Sequence, residues 1–379
     1  MTEHWIAPDR LFDGHSIQSG VAVRVKDGLV AEIGPAPAEA VKVKGLLTPG
    51  YVDLQVNGGG GVFLNETPTR EGIATIADAH RRFGTVALLP TVITDAPDVL
   101  ENAANAAIAA QGLHGILGLH IEGPHISRER RGTHAATHVR PFDERTMAVV
   151  THLRDIHIPV MITLAPEVTP LKTISKLAET GAVVSIGHSN ATAEQVNEAI
   201  EAGATCATHL FNAMSPMTSR APGVVGAVIN STIYSGIICD GHHVADSMVG
   251  LAVRGRPQAD RMILVSDSMA TVGGPDHFNL YGHEVVLKNG RLINKEGSLA
   301  GAHVTQAEGV QRLIHKVGLS EEVALRMATS TPAACMGLPQ FGALKGRRAA
   351  DMLLLDADHA VDSTLADAVL SMKAANVAQ

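Results

Sequence analysis

Glu122, His188, His209 and Asp267 are the side chains of this sequence whose types and settings admit joint chemistry on a polar bond. Each closes a short apolar run: Leu119-His120-Ile121 before Glu122, Val183 to Gly187 before His188, Thr205 to Thr208 before His209, and Met262 to Ser266 before Asp267. One carboxylate and two imidazoles form a ligand set found in catalytic zinc sites, and three protein ligands leave a coordination position open. A divalent ion so held brings the pKa of water near neutrality and polarises a carbonyl. Asp267, facing it, would serve as general base and acid. Taken singly, any of the 19 histidines reads as a surface or satisfied core residue, because a lone His carries no ligand spacing. The inference comes from four such residues at four strand ends.

Those runs belong to an order of apolar strand, polar loop and amphipathic helix that begins at Thr48. Strands are expected at Tyr51–Val56, Thr85–Leu89, Ile116–Ile121, Val160–Leu164, Val183–Ile186, Thr205–His209, Ser235–Cys239 and Met262–Val265. Several are near-continuous Val/Ile/Leu stretches, as parallel strands buried on both faces require. Thr192-Ala193-Glu194-Gln195 reads as a capping box, followed by Val196, Ala199 and Ile200 at helical spacing and a stop at Gly203. Eight strands alternating with helices predict an α/β fold, a closed (β/α)8 TIM-type barrel with its functional residues at the C-terminal strand ends. Before Thr48 the chain reads as short strands, Val21–Val25 and Leu29–Ile33, around a turn at Lys26-Asp27-Gly28. Residues 278–299 read as a β-hairpin excursion turning at Lys288-Asn289-Gly290, with helices following near 304–317 and 320–329. Strand character returns at Ala350–Asp356. The expected domains are a barrel over 49–340 and a small β-sandwich built from both chain ends, residues 1–48 and 341–379.

Composition limits the partners. With 45% hydrophobic and 18% charged residues, the 379-residue chain has enough apolar material for a large core. A net charge of −8 argues against a nucleic-acid partner, which needs a broad basic surface, but admits a small phosphorylated substrate. Cys206, Cys239 and Cys335 are far apart and lack CxxC spacing, so they read as buried reduced thiols of a cytosolic protein. The opening Met1-Thr2-Glu3-His4 has no basic n-region, and no uncharged apolar run reaches 18 residues. A soluble cytoplasmic protein with no membrane partner is expected. The run Gly58 to Gly61 is a weak phosphate-loop signal without a following GK[ST].

Four longer motifs are more specific: Leu119-His120-Ile121-Glu122-Gly123-Pro124, Gly187-His188-Ser189-Asn190-Ala191-Thr192, Thr208-His209-Leu210-Phe211-Asn212-Ala213-Met214 and Asp240-Gly241-His242-His243-Val244. With Leu47-Thr48-Pro49-Gly50-Tyr51-Val52-Asp53 near one end and Ala350-Asp351 near the other, the chain resembles the N-acetylglucosamine-6-phosphate deacetylase family of the amidohydrolase superfamily. The resemblance implies one divalent metal ion per subunit on Glu122, His188 and His209, with zinc expected and iron or another divalent ion as alternatives. It implies Asp267 as acid/base and His134 as a second catalytic group stabilising the oxyanion. Sugar contacts are implied from Thr133, His134, Asn212, Ala213, Leu299, Ala300 and Gly301, and phosphate contacts from Arg220 and His243. Gln55 and Asp240 join the expected substrate-binding set. A homodimer with the site near its interface is also implied.

One departure stands out. Many amidohydrolases carry His-x-His at the end of the first barrel strand, whereas this chain has Gln55-Val56-Asn57. Carboxamides are poor ligands for a borderline-soft metal, so a mononuclear site is expected. Gln55 would then contact the attacking water or fix a ligand. The expected reaction is hydrolysis of the acetamide of N-acetyl-D-glucosamine 6-phosphate to glucosamine 6-phosphate and acetate, in amino-sugar catabolism. Three alternatives are the N-acetylgalactosamine epimer, a cyclic amide hydrolase or deaminase, and a non-catalytic barrel serving in assembly. No lysine ends the fourth strand at Thr163-Leu164-Ala165-Pro166-Glu167, as many binuclear members would need.

Overall fold

In the computed structural model, residues 3–113, 115–294, 297 and 299–377 are described. Eight strands form one parallel sheet in sequential order: β1 (Tyr51–Val56), β2 (Thr85–Ile93), β3 (Leu119–Glu122), β4 (Val160–Leu164), β5 (Val183–Ile186), β6 (Cys206–Ala207), β7 (Tyr234–Ile237) and β8 (Met262–Leu264). The ends of β8 and β1 meet through Asp267 N donating to Gln55 O at 3.0 Å and Asn57 N donating to Ser268 O at 2.9 Å, which closes the barrel. The expected barrel is therefore present. β1, β4 and β5 have the predicted limits. β2 runs on to Ile93, and β3 begins only at Leu119, because Leu117 N and Leu88 O make the last irregular contact before regular pairing starts. β6 is two residues long, since the backbone turns left-handed at His209, with φ 26°.

Helices α1 (Arg70–Arg81), α2 (Pro97–Ala109), α3 (Glu144–Asp155), α4 (Leu171–Glu179), α5 (Ala193–Glu201), α6 (Gly223–Asn230), α7 (Asp246–Arg254) and α8 (Gln306–His315) follow the strands in turn. Local chemistry fixes where they start. Thr69 caps α1 through Gly72 N, Asp143 caps α3 through Thr146 N, and Thr192 and Thr305 form reciprocal capping boxes with Gln195 and Glu308. Each such cap is worth about 1 kcal/mol. Apolar faces such as Ile73 and Ile76 of α1, Val150 and Leu153 of α3 and Val196 and Ala199 of α5 sink into one large core with the outward residues of the strands. Full burial of an Ile, Leu or Val side chain contributes about 1.5–3 kcal/mol.

The chain ends meet in a second sheet. Glu3–Phe12, Ile17–Gln18, Val21–Lys26, Leu29–Pro35 and Val41–Pro49 join Met352–Leu355 and Val361–Thr364 in seven hydrogen-bonded strands around Ile6, Leu11, Val23, Leu47 and Leu354. Gly50 N donates to Asp351 O at 2.8 Å where this sheet hands the chain to β1. After β8, a three-stranded antiparallel excursion (His277–Leu280, His283–Lys288, Arg291–Ile293) turns at Asn289-Gly290, as the sequence predicts. Residues 295, 296 and 298 of that excursion lie outside the described residues. Phe278, Leu280, Val285 and Leu292 pack it against Ile93 at the end of β2 and Met269 beyond β8, so it lies beside the mouth of the barrel.

Candidate active site

Backbone strain marks the C-terminal mouth before any side chain is considered. His188, His209 and Asp267 have φ of 48°, 26° and 52°, a region costly for residues with a Cβ. Glycines let these turns form. Gly123, after Glu122, has φ 81°, and a Cβ on it would stand 2.1 Å from Thr94 Oγ1. A Cβ on Gly187 would stand 2.7 Å from Thr163 Cγ2 and 2.8 Å from Thr208 Cβ.

The turns bring three ligand atoms to one point. His188 Nε2 is 3.2 Å and His209 Nε2 3.0 Å from Glu122 Oε1, and the two Nε2 atoms are 3.1 Å apart. His188 Nδ1 lies 2.9 Å from Arg130 O. A carbonyl only accepts, so Nδ1 carries a hydrogen and Nε2 is the ring atom turned toward Glu122. Metal bonds of about 2.0–2.2 Å in a tetrahedral arrangement set ligand atoms about 3.3 Å apart, so this triangle fits a divalent ion. His134 also brings a ring nitrogen within 4.8 Å of the ligand atoms of Glu122 and His188. Its Nδ1 is 2.7 Å from Thr94 Oγ1, and its ring lies 4.3 Å from that of His188, centroid to centroid. The tighter triangle favours His209 over His134 as the third ligand.

Electrostatics separate the roles further. Burial alone would raise the Glu122 carboxyl, but hydrogen bonds and charge from His188 and His209 hold it well below the usual carboxylate range. Burial works against the His209 cation, yet Glu122 and Asp267 raise its pKa. Burial and the neighbouring His188 keep the His134 ring neutral, far below an ordinary imidazole. Burial, then the charge of Glu122, pushes Asp267 up to about 6. Two nearby carboxylates held on opposite sides of their ordinary pKa is the pattern of divided acid–base duties.

A cavity of about 180 Å³ opens over these groups. Thr133, His134, Asn212, Ala213, His243, Leu299 and Gly301 line it together with Glu122, His188, His209 and Asp267. Residues 46–379 match the amidohydrolase family. The chain belongs to that family. An N-acetylgalactosamine-6-phosphate deacetylase of Shewanella sp. (strain ANA-3) is 40% identical over 91% of this chain and 88% of its own length. An N-acetylglucosamine-6-phosphate deacetylase of Haemophilus influenzae is 32% identical over 84% of each chain. The crystal structure of the enzyme of that name from Pasteurella multocida superposes with a TM-score of 0.88 at 33% identity, covering 95% of this chain and 97% of that one. The resemblance read from the four motifs is thereby borne out.

Within this amidohydrolase, four residues of the expected substrate set lie off the cavity wall. Gln55 sits behind it and donates to Glu122 Oε1 and Asp267 Oδ1, both at 3.0 Å. Asp240 takes a hydrogen bond from His243 Nδ1 at 2.6 Å and from the backbone N of His242 and His243, so it orients His243 instead of lining the cavity. Those bonds outweigh burial and hold its carboxyl down at about 2. Ala300 is buried outside the lining, and Arg220 is exposed and does not join the lining.

Other participants carry no sequence signal of their own. Thr94 holds His134, and Glu167 accepts from Ser189 Oγ at 2.7 Å and Asn190 N at 2.5 Å, pinning the turn that carries His188. Asn57, Ile93, Gly132 and Met269 complete the lining. Asn57 alone was traceable, through its place two residues after Gln55.

Proposed function

We propose that the protein hydrolyses the acetamide of N-acetyl-D-glucosamine 6-phosphate, giving glucosamine 6-phosphate and acetate. The observation that carries this reading is the convergence of Glu122 Oε1 with the Nε2 atoms of His188 and His209 at 3.0–3.2 Å, in the same cavity as Asp267. Bound there, one divalent ion per subunit, zinc in the first instance, would polarise the acetyl carbonyl and acidify the attacking water.

The chain's own residues account for the proton traffic. With a pKa near 6, Asp267 is mostly ionised at neutral pH and takes a proton as water oxygen adds to the carbonyl carbon. The same proton goes to the amide nitrogen as the C–N bond breaks, releasing acetate and the sugar amine. His134 donates from Nε2 to the oxygen that gains negative charge. For that tautomer Thr94 must donate to Nδ1, and its hydroxyl is available because its contact with Glu122 O is long, 3.4 Å. Thr133, Asn212, Ala213, Leu299 and Gly301 hold the ring. His243, backed by the Asp240 carboxylate, presents its other nitrogen to the phosphate.

Arg220 supplies the second phosphate cation across the interface of a homodimer, a role consistent with its exposure outside its own cavity. No helix among the described residues is long and apolar enough to cross a membrane, and a cytoplasmic enzyme of amino-sugar catabolism is the setting this reading implies. A second reading, the galactosamine epimer, is favoured by the 40% identity to the Shewanella deacetylase against 32% for the Haemophilus one.

Acetate release across phosphorylated and free N-acetylglucosamine and N-acetylgalactosamine tests both readings. The phosphorylated sugars should exceed the free ones in kcat/KM by at least about tenfold, the worth of one charge-assisted contact. Which epimer is faster decides between the two. Equal rates on free sugars would reject the phosphate role, and no acetate from any of the four would reject the deacetylase reading. Metal content of the purified protein, with light scattering for mass, tests the ion and the dimer separately.

A further inference from the structure

We propose that Asn57 and Gln55 are a positioning pair that fixes which oxygen of Asp267 carries the proton. The inference rests on the acid/base reading of Asp267 given above. Asn57 Nδ2 donates to Asp267 Oδ1 at 2.7 Å, and Gln55 Nε2 donates to the same oxygen at 3.0 Å. A carboxamide NH2 group only donates, so Oδ1 is committed as a double acceptor. A proton placed there would have to displace one of the two donors. Among the described residues no hydrogen bond reaches Oδ2, and that oxygen is left to exchange the proton with water and the leaving amine.

Gln55 does more than hold Asp267. Its second N–H reaches Glu122 Oε1 at 3.0 Å, so one neutral amide ties the acid/base carboxylate to the carboxylate of the ligand triangle. Two buried carboxylates repel, and N–H groups between them ease that repulsion while adding no lone pair that would take a second ion. Imidazoles at 55 and 57 would offer lone pairs to such an ion. Carboxamides instead turn hydrogens toward Asp267, and the donors replace the cation. Asn57 is itself fully buried, and its Oδ1 has no hydrogen-bond partner. Among the described residues the one bond its side chain makes is the bond to Asp267.

The test is a double-mutant cycle on the metal-loaded enzyme. Asn57→Leu should lower kcat by about 10–100-fold, as expected when a catalytic group is misplaced by about 1 Å. KM, metal content and Tm should stay near those of the parent. The same substitution made in Asp267→Ala should cost almost nothing, because Asn57 then has nothing to orient. Asn57→Ser, which keeps a hydroxyl donor, should recover part of the lost kcat. An unchanged kcat in Asn57→Leu, or an equal loss in both backgrounds, would overturn the positioning role. So would a serine variant no better than leucine, which also decides the matter if leucine unfolds the protein or strips its metal. Full activity of Asp267→Ala alone would instead remove the acid/base reading, a separate failure.

Discussion

Between the floor of the barrel and its mouth, the same strands change character within a few residues. At the floor, Val52 and Leu54 of β1, Ala87 and Leu89 of β2, Met161 of β4, Cys206 of β6 and Ile263 of β8 pack with Val265 into one apolar cluster. Two residues further along the same faces stand Thr91, Thr163, Thr208 and Asp267. His120 bonds Thr91 Oγ1 at 3.2 Å and Thr163 Oγ1 at 2.8 Å, and Thr163 and Ser185 reach Thr208 at 2.6 and 2.7 Å. Burial drives the His120 pKa down to about 4, so this middle layer is a neutral hydrogen-bonded web. Above it come the left-handed backbones and buried charges of the mouth. The floor stabilises and the mouth does chemistry, and between them the hydroxyls and imidazole of the web satisfy one another.

If this division holds, the largest effect separates activity from stability at the mouth. Asp267→Asn should lower turnover by about 10²–10⁴-fold, the range of positioned acid–base catalysis, while Tm stays level or rises because a buried carboxylate has gone. Steady-state kinetics with a thermal melt checks both. A melt lowered by ten degrees or more would show that the mouth also holds the fold together, and the contrast would fail.

Met161→Ala is the converse. It removes a side chain that is 3% exposed and leaves a cavity, so unfolding should become easier by about 2–5 kcal/mol. At 20 °C, well below its melt, kcat should change by less than about threefold, since stability losses at the floor leave the chemistry in place. Denaturant unfolding measures the first quantity and acetate release the second. Loss of turnover in the still-folded variant would mean that the floor sets the geometry of the mouth.

Thr163→Val probes the web at smaller scale. It deletes the hydroxyl shared by His120 and Thr208, and taking the buried imidazole Nε2 from its partner should cost about 1–3 kcal/mol in stability. A neutral result would mean that the layer is held by packing alone.

The same contrast explains what the sequence disclosed. β1, β4 and β5 keep their predicted limits because turn residues flank these buried runs (Gly50 and Asn57, Pro159 and Pro166, Gly181 and Gly187), and α5 starts at the Thr192–Gln195 capping box. β2 runs four residues past its predicted end because Pro90 continues the extended chain to Ile93. β6 was read too long because a left-handed His209 leaves no trace in residue type. At the mouth, histidines and carboxylates at strand ends are conspicuous. Thr94, Glu167 and the Arg130 carbonyl, which hold His134 and His188 in place, are common groups whose role depends on what the fold brings near them. The exposed Arg220 shows the reverse limit, since a residue type suited to phosphate says nothing about whether it lines the cavity of its own subunit.

Asp53 is the one charge set among floor residues, between Val52 and Leu54, and it gives the finest test. Its Oδ1 accepts from Gln55 N at 3.2 Å and Ser266 N at 3.3 Å, across the seam where β1 and β8 close the barrel. Burial outweighs the bonds from Ser266, Gln306 and Gln55 and pushes its pKa from 3.8 to about 6. A carboxyl raised in the folded state favours folding fully below its unfolded pKa, and that contribution is lost as pH rises through the folded value. Between pH 4 and 7 the wild-type protein should therefore lose on the order of 1–3 kcal/mol through Asp53 alone. Asp53→Asn keeps an oxygen for both backbone N–H groups and cannot ionise. Its stability relative to wild type should climb by that amount over the same interval, most steeply between pH 4 and 6 and levelling off above 6. Paired denaturant melts at pH 4, 5, 6 and 7 measure the difference directly and cancel every group the two proteins share. A flat difference would mean that Asp53 ionises at its unfolded value and is solvated through the seam, and the floor would then be less dry than its neighbours Val52 and Leu54 imply.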